Sequence, residues 1–459
     1  MTNSSSTASE HQASALSTDQ RGIKRVTVFS IEGESASAML RILGPAKHLG
    51  WEVIHGFDRG TFHFEAVKQG DVVVLQRDFC REVKAYNQVL STARSLQKPV
   101  ILELDDLFFD LPEAHHCRVR GFYTDALLPL YLALIDADLV TVSTAPLREA
   151  LLPYNPNIHV ISNYLEDALW KMTEPKPVVP NPEKIIIGYM GTESHRPDLI
   201  TILPALLELE RRYPGRISYR FWGIEPPAEL ASHSEVEWPA RLTTRYADFV
   251  EYFQSQSADI VISPLADNLF NQCKSAIKYL EYSAIGLPGV YSRIAPYTDT
   301  IREGRDGLLA SSAEEWVSAL SALIDSPELR GQLIRNAQAN IAENWLLSRN
   351  VHKQQEIYEQ ALAGYGRGER SFPPHFDLLR NIAAQHYELH QRLVQDDSFS
   401  RGQLSDKDTL IHDLRKEKAE LLKRIDDLNT EVVTYANSPS WKLTRPFRKL
   451  SRVLGRRKL

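Results

Sequence analysis

Twice along this chain, short runs of β-branched and apolar residues alternate with segments of helical periodicity, and a proline-rich stretch separates the two series. The first series places strands at 26–30, 71–76 (DVVVLQ), 100–104, 139–143 and 159–162. Helical patterns run between them through Met39, Leu40, Leu43 and Leu49, and over 83–96 and 124–135. The unbroken apolar character of 71–76 is that of a strand covered on both faces of a parallel sheet. Residues 172–183 (MTEPKPVVPNPE) hold four prolines in twelve positions, a linker composition. The alternation then restarts, with strands at 184–190, 217–222, 258–264 and 288–292 and helices at 197–212, 245–254, 275–284, 314–324 and 327–361. Such alternation predicts two doubly wound α/β domains facing a cleft, with ligands at the carboxyl ends of the strands.

The expected division is a disordered tail over 1–22, a first Rossmann-like domain over 23–172 and a linker over 173–183. A second such domain follows over 184–364, then a linker with a helical segment over 365–403. Positions Ile411, Lys418, Ile425 and Val432, with Leu414, Leu421, Leu428 and Tyr435, make about four heptads and predict a coiled coil over 404–436. It offers self-association or a partner helix. Residues 440–459 carry eight Lys/Arg and no acid, which leaves −14 on the remainder of a chain whose net charge is −6. A basic amphipathic end over 437–459, with Trp441, Leu443, Phe447, Leu450 and Leu454 interleaved, suits the surface of an anionic bilayer. An acidic body argues against nucleic acid as a partner. The longest apolar stretch is 126–135, short of the roughly 20 residues that span a membrane, and it contains Pro129. The serine-rich first twenty residues lack the apolar core of a secretory signal. Three scattered cysteines, Cys80, Cys117 and Cys273, suit a reducing cytosol rather than a disulfide frame. No metal site is expected: His115-His116-Cys117 has no second ligand pair at zinc spacing.

The window 270–289 (FNQCKSAIKYLEYSAIGLPG) concentrates the chemistry. Its helix over 275–284 ends at Gly286 and Pro288. Lys274, Lys278 and Glu281, spaced four and three, share one face of such a helix. Lysines at a helix N-terminus attract phosphate oxygens, and Glu281, a turn later, accepts hydrogen bonds from ribose hydroxyls. Gly188-Tyr189-Met190-Gly191 closes the first strand of the second domain, and His195 and Arg196 follow on the same loop, placed to neutralise phosphate. In the first domain, Asp105 and Asp106 end a strand and orient acceptor hydroxyls or cap the following segment. Gly33 follows the first strand, Arg41 lies on the next helix where it meets an anionic acceptor, and Asn163 follows the last strand on the cleft side.

The order ADIVISPL, loop, KSxxKxLEY, GLPGVYS and REGRDGL resembles the C-terminal half of retaining GT-B glycosyltransferases, family 4-like, group 1. The branch that works on bacterial cell-surface polysaccharide and O-antigen has a similar Asp-Asp segment. The string SPSWKLTRPFR resembles the tails of such enzymes. The resemblance implies transfer of a sugar from a nucleotide-diphosphate sugar to a glycan or lipid-linked acceptor with retention. It implies no cofactor or metal, and a cytoplasmic enzyme peripheral at the inner face of the membrane. Glu281 matches the family's ribose-contacting Glu, Gly191 lies on its diphosphate turn and Gly286 on its Gly-x-Pro. A second family Glu, which contacts the donor sugar, stands eight positions earlier; here that position is Cys273. The alternatives are a catalytically silent sugar-nucleotide or glycan-binding subunit, or another two-domain enzyme such as a sugar-nucleotide epimerase.

Overall fold

A computed structural model describes residues 22–31, 33–173, 184–232, 235–239, 245–365 and 378–393, together with residues 416, 420, 423, 424 and 430. The N-terminal tail, most of the proline linker, the seam of the expected coiled coil and the basic end lie outside the described residues. Residues 1–387 form one compact unit and 388–459 a second, which is helical at its described positions.

Two six-stranded parallel sheets organise the first unit. In chain order the first contains β1 (Arg25–Phe29), β2 (Glu52–His55), β3 (Val72–Gln76), β4 (Val100–Leu104), β5 (Leu139–Val142) and β6 (Ile158–Val160), in spatial order β2-β1-β3-β4-β5-β6. The second contains β7 (Ile185–Met190), β8 (Ile217–Trp222), β9 (Glu235–Glu237), β10 (Ile260–Ser263), β11 (Gly289–Ser292) and β12 (Leu308–Ala310). Its order, β9-β8-β7-β10-β11-β12, is the doubly wound 3-2-1-4-5-6 arrangement, with its switch point between β7 and β10. Every residue of β3, β4, β5, β10 and β11 is buried, so both faces of each sheet are covered by helices.

The helical expectations hold with three physical corrections. The helix expected over 197–212 is two, Arg196–Thr201 and Leu203–Arg212. Pro204, which lacks an N–H and clashes with the preceding turn, forces a new start there. The helix expected over 327–361 is Pro327–Asn344, Leu347–Asn350 and His352–Gly364. It is interrupted because Leu165 donates to the Trp345 carbonyl and accepts from the Leu347 amide, a bridge from the first lobe that replaces helical bonding. The third correction concerns the site: the helix expected over 275–284 spans Ile277–Ala284, so Lys274 lies on the loop before it.

The lobes interlock rather than merely touch. Phe270 and Cys273 of the second lobe pack in the apolar cluster of the first, and Leu40 of the first packs in that of the second. The terminal helix His352–Gly364 returns to the first lobe, where Tyr358 stacks on Trp51 with centroids 5.5 Å apart. Beyond it, a helix from residue 378 sets Ala383 against Leu132, and Arg380 pairs with the buried Asp136 at 2.6 Å. Among the described residues no helix is long and apolar enough to cross a membrane.

Candidate functional site

The switch point of the second sheet is bounded by three segments: the loop after β7, the loop after β10 and the Ile277–Ala284 helix. Lys278 and Glu281 both lie on the inward face of this helix and are buried. Among the described residues the Lys278 ammonium has no hydrogen-bond partner, and it lies 5.1 Å from the centroid of the Tyr189 ring. Burial, with some help from Lys274, pushes its pKa from the usual 10.5 down to about 8, against the pull of Asp198 and Glu281. A buried cation without a hydrogen-bond partner is costly, and here only the more distant charges of Asp198 and Glu281 offset that cost.

Glu281 accepts a hydrogen bond from the Tyr246 hydroxyl at 2.9 Å, and that hydroxyl accepts one from Trp170 Nε1 at 2.9 Å. Burial pushes the Glu281 carboxyl up to about 7, opposed by Tyr246 and Lys278. Neither Tyr246 nor Trp170 carries a signal in the sequence, because only folding brings positions 170, 246 and 281 together.

On the facing loop, His195 Nδ1 lies 3.0 Å from Asp198 Oδ2. The other Asp198 oxygen accepts from the Ala266 amide at 3.0 Å and from Asn271 Nδ2 at 2.7 Å. Asp198 thus ties the β7 loop to the β10 loop. Burial alone raises such a carboxyl, but its contacts, led by the hydrogen bond to His195, hold it below the usual range. Burial and the adjacent Lys278 hold His195 well below its ordinary value, so the imidazole is neutral at neutral pH. With Asp198 ionised, its proton sits on Nδ1. The sequence does carry a faint signal for Asp198: an acid three residues after a histidine at a helix start.

The other expected residues distribute as follows. Met190 and Gly191 close β7, but their amides are committed, to the Tyr282 hydroxyl at 2.8 Å and the Trp222 carbonyl at 3.0 Å. Gly191 sits in a tight space: a Cβ there would lie 3.0 Å from the Tyr189 hydroxyl, which would have to give by a few tenths of an ångström. Arg196 is held by Glu193 through both its Nε and Nη2, the latter at 2.9 Å, and donates to the Glu225 carbonyl. Gly286 takes φ +80°, the left-handed turn that ends the helix.

Lys274, from the second lobe, reaches Asp106 of the first at 3.5 Å and sits 4.3 Å from the Phe270 ring centroid. The two charged motifs read separately in the sequence therefore meet across the cleft. Asp105 turns inward to Ser37 Oγ at 2.6 Å and to Arg77 at 3.4 Å. Burial raises its carboxyl, but Arg77 and Ser37 outweigh that and keep it low. Arg41 departs most from expectation. Its guanidinium is buried, 2.5 Å from Glu103, and also donates to the Ile161 carbonyl and to Asn163 Oδ1, so it is spent on the fold. Asn163 in turn donates to Ser275 Oγ at 2.9 Å, linking the lobes. Gly33, at φ +60°, lies in an exposed turn whose neighbour Glu34 binds Arg245 at 2.8 Å and accepts the Tyr246 amide at 3.0 Å.

Cys273 is fully buried among first-lobe apolar side chains, its carbonyl accepts from Thr144 Oγ1 at 2.7 Å, and burial pushes its thiol up to about 12. That pocket accepts a small apolar side chain, not a carboxylate. His115 accepts from the Cys117 amide at 3.3 Å as a helix cap. Among the described residues, the one trio with metal-ligand spacing is His48, Glu166 and Asp167; its His48–Glu166 contact is 2.8 Å, and both Asp167 oxygens are taken by Ser348.

Residues 184–326 match the family described as "Glycosyl transferases group 1". A D-inositol 3-phosphate glycosyltransferase of Arthrobacter sp. (strain FB24) is 32% identical over 112 residues, 24% of this chain, and the chain spans about a quarter (25%) of that relative's length. Among solved structures, sucrose-phosphate synthase from Thermosynechococcus elongatus superposes with a TM-score of 0.53 at 13% identity, over 74% of this chain and 100% of that one. Anabaena Alr3699/HepE, solved with UDP and glucose, gives 0.52 at 12% identity, over 72% and 98%. At such identities these are likenesses of fold. The family match thus lies within the second lobe, and the solved structures share the GT-B arrangement of two Rossmann-like domains.

Proposed function

We propose that this chain transfers a sugar, with retention, from a nucleotide-diphosphate sugar to a glycan or lipid-linked acceptor in cell-surface polysaccharide biosynthesis, of the O-antigen type. The observation that carries the reading is the buried, unpartnered Lys278 ammonium at the switch point of the second sheet, inside the segment that matches the group 1 family. In this account the donor's diphosphate meets Lys278, with Lys274 and the His195–Arg196 loop beside it, and Glu281 takes the ribose hydroxyls. As the glycosidic bond to phosphate breaks, negative charge grows on the departing nucleoside diphosphate. A fixed cation in a dry site stabilises that charge more than it stabilises the ground state. Gly33, Asp105, Asp106 and Asn163 form the acceptor side. Arg41 acts there indirectly, by fixing Asn163.

The basic end and the coiled coil complete the proposal: the tail holds the enzyme at the inner face of the membrane, and the heptads join it to a copy or a partner helix. Co-sedimentation with anionic liposomes, with and without residues 437–459, tests the tail; equal binding by both forms removes it from the account.

One feature favours a second reading, a silent sugar-nucleotide-binding subunit. Cys273 occupies the place of a donor-contacting Glu and is walled off by the first lobe. Release of nucleoside diphosphate from a panel of sugar nucleotides separates the two. Turnover supports the transferase, and binding without release supports the silent subunit.

A further inference from the structure

Beside the His195 loop the two lobes form a groove of about 500 Å³, within the size range of ligand pockets, and Lys278 is not among its lining residues. Its walls are apolar: Ala114 and Val119 from the first lobe, Pro197 and Ile200 from the second. Val119 is 72% exposed and Ile200 44%, and Phe122, 55% exposed, extends the same first-lobe segment. Large apolar side chains clustered at a surface mark an interaction site rather than scatter.

The rim is net positive, with two arginines, Arg120 and Arg196, against one carboxylate, Glu193. His116 and Arg120 line it from the first lobe. The one carboxylate there, Glu193, is neutralised by the two-point bridge from Arg196, which holds its carboxyl below the usual range. Arg120 makes no side-chain hydrogen bond or close ion pair among the described residues and acts on Glu193 only through space, while Glu193 is bonded to Arg196, so the Arg120 guanidinium N–H groups are open to a ligand. An apolar trough with an uncommitted arginine at its edge suits a long hydrocarbon ending in phosphate. It suits a nucleotide or a free glycan poorly, since neither offers the hydrocarbon that four apolar walls require.

We propose that this groove holds the hydrocarbon chain of a lipid phosphate or diphosphate, with Arg120 and His116 meeting the phosphate, so that a lipid-linked acceptor is presented to the cleft from this side. The proposal rests on the glycosyltransferase reading for its purpose and on the groove's own chemistry for its ligand class. Val119 and Ile200 take no part in the donor site.

The test uses the full chain and farnesyl diphosphate as probe, with inorganic diphosphate and farnesol as separate arms, read by calorimetry. Wild type binds farnesyl diphosphate at least tenfold more tightly than either part. Val119→Asp and Ile200→Asp each weaken it at least tenfold, and Ile200→Leu retains it. Thermal stabilisation by UDP or GDP stays unchanged in all three variants, which shows that they are folded and that the donor site is intact. Inorganic diphosphate binding as tightly as farnesyl diphosphate, or wild-type affinity in both Asp variants, overturns the proposal. Nucleoside diphosphate release is followed separately: if every sugar nucleotide fails while farnesyl diphosphate still binds at this groove, the transferase reading falls and the lipid site stands.

Discussion

Replacing Lys278 with Met separates function from stability, because the two should move in opposite directions. Met keeps the unbranched shape and is a comparable helix former, but removes the charge. Driving the ammonium from its usual 10.5 to about 8 corresponds to about 3 kcal/mol of penalty on the charged folded state, at about 1.36 kcal/mol per pH unit. Below pH 8 the group is charged in both folded and unfolded chains, and the folded state bears the whole penalty. Between about pH 8 and 10.5 the folded chain releases the proton first, so this contribution makes wild type more stable as pH rises across that window. Lys278→Met is therefore expected to be more stable at pH 7 by about 1–3 kcal/mol, a rise of a few degrees in Tm for a domain of this size. The increment from this residue between pH 8 and 10.5 should vanish. In the same variant, stabilisation by UDP or GDP should be lost. Calorimetric or fluorescence melts at pH 7 and pH 10, with and without nucleotide, read all of this. A variant that melts lower than wild type and keeps its nucleotide response would show that Lys278 is a structural residue and refute the reasoning.

Three further outcomes follow from the same geometry. Donor kcat/KM should have a basic limb near pH 8, where Lys278 loses its proton, and an acidic limb near pH 7, below which Glu281 is protonated and no longer accepts ribose hydroxyls; a pH–rate profile flat from 6 to 9 opposes both assignments. Tyr246→Phe removes the hydrogen bond that lowers the Glu281 pKa and leaves Trp170 Nε1 without its acceptor, so the acidic limb should move up and stability should fall by about 1–3 kcal/mol; an unmoved limb contradicts the link. Arg41→Met strands the buried Glu103, whose carboxyl is already raised to about 7 by burial, and should destabilise by about 3–5 kcal/mol in denaturant melts; a near-neutral result means that the arginine is not spent on the fold.

The parts of this molecule legible in its sequence are those written in local pattern. Val72–Gln76 and Val100–Leu104 are uniformly apolar because both their faces are covered, and such runs declare a parallel sheet by themselves. The edge strand Glu52–His55, with its outer residues exposed, has no such run and was invisible, as was the three-residue Leu308–Ala310. Lys278 and Glu281 stood out by spacing on one helix. What gives them their properties did not, since Asp198 and Tyr246 lie far off in the chain and reach them only through the winding of the sheet. Arg41 is placed differently from its expected position for a related reason. Its sequence neighbours suggest a helix face open to the cleft, and the partners that consume its charge, Glu103 and Asn163, come from the ends of two other strands. The departure at Cys273 was visible as a letter; that it marks a plug in the first lobe's core was not.

The central claim is that a nucleotide-diphosphate sugar is cleaved with its phosphates at Lys278. Its most direct test is the rate of nucleoside diphosphate release from a panel of sugar nucleotides, for wild type and Lys278→Ala side by side. The account predicts release from at least one donor and a drop of tenfold or more in the variant, about 1.4 kcal/mol of transition-state stabilisation. Equal rates in the two proteins, or no release from any donor by a folded wild-type enzyme, would contradict it.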